Sequence, residues 1–94
     1  MNRAILYGEI VSPANFDHTG NGTPVFNFKV QCTERHNDRT FVETHNVTAW
    51  GGLASMLFEA WRSDTIAKGK RVLVEGRIST KDGGLEIHAK RVEW

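Results

Sequence analysis

Three sets of residues able to hold a ligand stand at alternate positions along this chain: Asn27, Lys29 and Gln31; Asn46, Thr48 and Trp50; Arg77, Ser79 and Lys81. A period of two puts each set on one face of an extended strand. Lys29, Arg77 and Lys81, with Arg3 near the N-terminus, can pair with anions. Asn27, Gln31, Asn46, Thr48 and Ser79 can hydrogen-bond in several registers. Trp50 adds a flat, polarisable ring. Carboxylates are nearly absent from this face, although the chain is balanced overall, with 12 Lys+Arg against 11 Asp+Glu and a net charge of +1. The electrostatic signal is therefore local, and it suits reversible capture of a flexible anion that presents flat rings. Tyr7 and Phe41 are further candidate rings. Tyr7 shares the outward phase of Arg3 and suits either the groove or a subunit contact. Phe41 adjoins a polar turn, where stacking and satellite packing are equally open.

Each of these residues also has a bland reading. A lone lysine or arginine on a strand is usually a solvated face, and a tryptophan is often core. For Trp50 the phase decides. It alternates with Thr44, Asn46 and Thr48, not with Val47 and Ala49, and Gly51 and Gly52 follow it without side chains to cover its ring. An exposed platform is the expectation. By contrast, Phe26 and Phe28 are in phase with Val30 and belong to a core.

Bond-making chemistry finds little support. The four histidines (His18, His36, His45, His88) and the one cysteine, Cys32, show no paired spacing of metal ligands. "GNG" and "GG" lack the context of a phosphate-binding loop. Glu9, Glu43 and Glu75 are scattered over different strands and phases. No catalytic residue, metal or cofactor is expected.

The elements that must position these side chains follow from periodicity. Residues 3–12 alternate as a strand, with Ala4, Leu6, Gly8 and Ile10 inward. Residues 13–22, dense in Pro, Gly, Asn and Asp, read as a loop. Residues 24–34 form a second strand, 36–39 a polar turn, and 40–50 a third strand. Leu53, Met56, Leu57, Ala60 and Trp61 then recur at helical spacing over 53–69, with Gly69 as the stop. Residues 70–80 return to alternation with Val72, Val74, Gly76 and Ile78 inward. Asp82-Gly83 marks a hairpin within 81–84. In the last strand, 85–94, the phase slips between Ala89 and Val92, which predicts a bulge.

The order is three strands, a helix, two strands. Gly8 and Gly76 inside the first and fourth strands let a small sheet curl. The expected fold is all-β: a five-stranded Greek-key OB-fold barrel with one α-helix between strands three and four. An open α+β sheet is the runner-up. Ninety-four residues make one domain, 1–94. At 39% apolar and 24% charged the chain can bury a core. No apolar run is long enough to span a bilayer, and no signal segment stands at the start. A lone Cys32 fits a reducing compartment.

Four stretches, "NRAILYGEI" (2–10), "VFNFKVQCTER" (25–35), "HNVTAWGGLA" (45–54) and "KGKRVLVEGRIST" (68–80), resemble, in order and at nearly the same spacing, the OB domain of bacterial single-stranded DNA-binding proteins. The resemblance covers nearly the whole chain. There are departures. The segment "FEAWRSDTIAKG" is longer, the hairpin at 81–84 is shorter, and Thr44 stands where a second aromatic is common. The sequence ends at Trp94, without the family's glycine-rich linker and acidic tail. The departures are similar to the short, tail-less relative used in replication restart (primosomal replication protein N) and to small phage-encoded versions.

The resemblance implies sequence-nonspecific binding of single-stranded DNA in replication, recombination or repair. Bases would stack on Trp50, with Tyr7 and Phe41 as further candidate rings, while Lys and Arg meet phosphates. It also implies a homodimer or homotetramer built through the first strand, contact with replication or recombination proteins, and the bacterial cytoplasm or nucleoid. Two other functions remain open: a primosome-type factor that mainly docks proteins, and an OB module that recognises only protein or sugar.

Overall fold

A computed structural model describes all 94 residues, apart from the side chain of Lys81. The elements are β1 (Ala4–Ile10), β2 (Asn15–His18), β3 (Pro24–His36), β4 (Arg39–Trp50), α1 (Gly51–Arg62), β5 (Arg71–Lys81) and β6 (Gly84–Glu93). The sheet runs β1-β5-β6-β4-β3-β2 and closes through a β1–β3 pairing. Five strands thus form a closed barrel with the helix inserted between β4 and β5, the OB arrangement expected from the sequence. The β4–β6 pair is parallel, and the other pairs are antiparallel.

Alternation dictates what goes inside. Ile10, Phe26, Phe28, Val30, Val72 and Val74 are buried, while Tyr7, Glu9, Lys29 and Arg77 on the same strands face out. Burying side chains of this size contributes roughly 1.5–3 kcal/mol each. Gly8 and Gly76 sit where neighbouring backbones press closest. A Cβ at Gly8 would fall on the Gln31 carbonyl, and one at Gly76 on the His88 carbonyl. These two contacts are where the sheet bends. The predicted bulge is present: Glu75 pairs with Arg91 but Gly76 with Ala89, leaving Lys90 as the extra residue. Both tight hairpins turn through left-handed pairs, Asn37-Asp38 and Asp82-Gly83.

Four expectations are corrected. Ile78, expected inward on β5, is 44% exposed and lines a hollow with Ala4, Leu6 and Leu85. Residues 13–22 are not simply a loop. Asn15–His18 is a strand on β3, with Phe16 opposite Phe26 and stacked on Phe58 of the helix at 4.1 Å. The apolar reward of that stack makes a strand out of a turn-rich segment. The helix ends at Arg62, well before Gly69. Ser63 and Thr65 bond back to the last turn, Asp64 takes φ 61, and Ile66 then dives into the core. Such short polar residues compete with the helix for its own backbone groups. Finally, the buried helix face is Ala54, Leu57 and Ala60, with Phe58 and Trp61 beside it, whereas Met56 points outward.

Beyond Cys32, β3 and β4 leave the barrel as a two-stranded ribbon. Residues 33–44 are all exposed.

Candidate nucleic-acid interface

The sheet register joins residues that lie far apart in the chain. One row across four strands reads Lys29 (β3), Asn46 (β4), Glu86 (β6) and Ser79 (β5). The next reads Asn27, Thr48, His88 and Arg77. At one end of these rows Trp50 stands opposite Val25, and at the other Gln31 stands opposite Thr44. Three inter-strand steps make the strip about 14 Å wide. A groove of about 330 Å³ lies along it, floored by Asn27, Lys29, Asn46, Thr48 and Glu86 and walled by Ser12, Pro13 and Asn15. The wall is tied down: the Lys29 N–H donates to Ser12 Oγ at 3.0 Å, and the Val11 N–H to the Lys29 carbonyl.

Within the strip the groups differ in availability. Thr48 is only 5% exposed, and its hydroxyl donates to Asn27 Oδ1 at 2.8 Å. It therefore orients Asn27 instead of meeting a ligand, and the Asn27 amide NH2 keeps its donors for one. Trp50 is 39% exposed. It is also the N-cap of α1, and a Cβ at Gly51 or Gly52 would stand in open space, so no side chain follows to cover the indole. Its ring meets the His88 ring edge-on at 4.5 Å and 78°. Lys29 and Arg77 have no carboxylate within ion-pair distance among the described residues.

Other candidates lie elsewhere. Arg3 is one strand further round, and its Nε donates to Glu75 at 2.7 Å, a carboxylate that also holds Arg91. Tyr7 lines a separate hollow with Leu73, Arg71, Glu93 and Trp94. Phe41 shares the phase of Val47 and Ala49, so it lies on the ribbon face opposite Thr44 and Asn46. There it lines a small hollow with Cys32, Glu34 and Glu43. Those two carboxylates and burial push the Cys32 thiol up, with burial the larger cause. Lys81 pairs with Gly84 at the hairpin end, and its side chain lies outside what is described.

Sequence reasoning missed the whole contribution of β6. Glu86 and His88 stand in the middle of the strip, joined by a 2.7 Å contact. The face is thus not as free of carboxylate as the alternation suggested. Lys90 continues the outward phase of Glu86 and His88 as an unpaired cation among the described residues. Arg35 does the same along the ribbon, in the phase of Lys29 and Gln31. Phase alone marks Arg35. The β6 residues needed the parallel β4–β6 pairing, which no local pattern announces. Among the described residues no three His, Cys, Asp or Glu side chains converge as they would around a metal ion. No helix is long and apolar enough to cross a membrane.

A closed OB barrel with an open, amide- and cation-bearing strip across four strands is the architecture of a class of binding modules. Over residues 1–91 the chain matches the single-strand binding protein family, and it belongs to that family. It is similar to single-stranded DNA-binding protein 1 of Chlorobaculum tepidum, at 29% identity over 86 residues, covering 86% of this chain and 50% of that protein. A single-stranded DNA-binding protein of Mycoplasma genitalium is 32% identical over 83 residues, covering 85% of this chain and 46% of that protein. The chain thus spans about half the length of these two relatives. Among solved structures, the SSB domain of a Synechococcus protein superposes with a TM-score of 0.80 at 26% identity, covering 100% of this chain and 96% of that one. PriB from Ralstonia solanacearum shares the fold, with a TM-score of 0.80 at 22% identity over 99% of this chain and 96% of that one.

Proposed function

We propose that this protein, as one OB domain over residues 1–94, binds single-stranded DNA without sequence preference and performs no catalysis. The observation that carries this reading is the register that lines up Asn27, Lys29, Asn46, Arg77 and Ser79 beside the exposed Trp50. Bases stack on Trp50, the amides and Ser79 bond to bases or phosphates in any register, and Lys29 and Arg77 take phosphates. Arg3 contributes less, because Glu75 already holds it. An OB unit of this size covers about four to sixteen nucleotides. The names of the relatives support the choice of nucleic acid. The setting is the bacterial cytoplasm, in DNA replication, recombination or repair.

Self-association fits the same reading. β1 pairs with β5 over Ala4–Glu9 but with β3 only at Glu9 and Ile10. Its remaining edge is a template for a second copy, which would extend the DNA path in a dimer or tetramer. Replication proteins would dock away from the strip, at the exposed turn 62–65 after the helix.

Titrating labelled oligo-dT, duplex DNA and RNA against the protein tests the proposal. Preference for the single DNA strand, saturating and weakened by salt, is expected. Equal affinity for duplex, or no binding at low salt, overturns it.

A further inference from the structure

We propose that His88, clamped by Glu86, is a positioning residue that holds the Trp50 indole in the orientation in which a base stacks. This rests on the binding reading above and names a part of the site that the reading does not need.

The two side chains are mostly buried, at 18% and 17% exposure, and His88 Nε2 lies 2.7 Å from Glu86 Oε1. A carboxylate can only accept, so Nε2 carries the proton and donates. The ring is thereby fixed about its own axis. Nδ1 is buried with no hydrogen-bond partner among the described residues. A buried acceptor without a partner costs stability, so polar satisfaction does not explain a histidine here. What the ring does make is the edge-on contact to Trp50, at 4.5 Å and 78°. That is a favoured aromatic geometry, worth more than its area alone.

Among the described residues Trp50 meets no aromatic ring other than that of His88. It is an N-cap without a side-chain capping bond, and the next two residues are glycines. The strand on its other flank presents Val25. A mobile indole would have to be ordered each time a base stacked, and that cost would be taken from affinity. The His88 ring, anchored by Glu86 and set between Thr48 and Arg77, removes it in advance. Thr48 and Asn27 form a second pair of this kind in the same row, with one side chain buried to aim its neighbour.

The test is a double-mutant cycle read by oligo-dT affinity and by melting. His88→Ala should weaken binding by about two- to tenfold, the fold-change equivalent of one edge-on aromatic contact. In a Trp50→Ala background it should change nothing further, because the residue it positions is gone. His88→Phe keeps the ring edge but loses the bond to Glu86, so it should bind better than a non-aromatic variant and less tightly than the parent. His88→Leu fills the same space without an aromatic edge and takes the place of the alanine variant should that fail to fold. The inference is overturned if the folded His88→Ala or His88→Leu protein binds as the parent does. It is also overturned if the loss persists undiminished without Trp50, or if His88→Phe binds no better than His88→Leu. Failure of the parent protein itself to bind oligo-dT would instead defeat the functional reading, and the inference with it.

Discussion

Replacing Trp50 by alanine should injure binding far more than folding, and replacing Trp61 should do the reverse. Both are large aromatics near the helix, so only their surroundings separate them. Trp50 leaves 39% of its surface in solvent and stands opposite Val25, two residues beyond Thr48 on β4. Trp61 is half-buried on the barrel side of α1, with its ring edge-on to the fully buried Phe26 at 6.2 Å. Base–aromatic stacking is worth roughly 1–3 kcal/mol per base. Trp50→Ala should therefore weaken oligo-dT binding by about five- to over a hundredfold. Truncating a packed tryptophan costs about 3–5 kcal/mol of stability. At about 4–8 °C per kcal/mol for a domain of this size, Trp61→Ala should lower Tm by at least ~12 °C. Trp50→Ala should lower it by less, since a good part of its ring contacts water already. Calorimetry and a fluorescence titration on the two variants and the parent decide the matter. If Trp50→Ala melts far below the parent while its refolded fraction binds DNA normally, Trp50 is a core residue and the reasoning from its phase fails.

The pattern of ion pairs leads to a second expectation. Lys29→Ala and Arg77→Ala should each reduce the slope of log affinity against log salt by about 0.7. Arg3→Ala should change it less, because Arg3 is engaged by Glu75; an equal reduction for Arg3 would show that this pair opens on binding. Gly76→Ala places a methyl on the His88 carbonyl, and overpacking of this kind costs about 1–3 kcal/mol. A urea midpoint equal to the parent's would show that the strands are not pressed together there. Burial and the neighbouring Glu43 and Glu34 raise the Cys32 thiol, so iodoacetamide at pH 8 should modify it more slowly in the folded protein than in the unfolded chain. The unfolded thiol ionises first as pH rises, so any stability linked to Cys32 is intact below that range and lost above it. Faster alkylation in the folded state would contradict the placement of Cys32 beside two carboxylates.

Which residues alternate is legible in the sequence, and with it most of the barrel. Phase separated Phe26, Phe28 and Val30 from Asn27, Lys29 and Gln31, and Val47 and Ala49 from Asn46 and Trp50. It also located the slip between Ala89 and Val92, where the sheet register leaves Lys90 unpaired, and the Asp82-Gly83 turn. Each is a local matter of side-chain direction or backbone sign, written within a few residues. The strand at Asn15–His18 was not legible, because Phe16 packs across a turn-rich hairpin on Phe26 and against Phe58, which lies far along the chain. The early end of the helix was blurred for a related reason: Ile66 continues an apolar pattern, but it is buried by leaving the helix, not by extending it. At the site, alternation sorted faces but could not say which faces become neighbours. Beside a polar turn, Phe41 is open to stacking or to satellite packing, and only the projecting ribbon left it beside Glu34 and Glu43. Glu75 captured Arg3 because the β1–β5 ladder sets those strands side by side. The parallel docking of β6 against β4 delivered Glu86 and His88 into the middle of the binding strip. That pairing joins residues some forty positions apart, and only closure of the barrel decided it, because a strand's pattern tells which side it buries but not which strand it lies against.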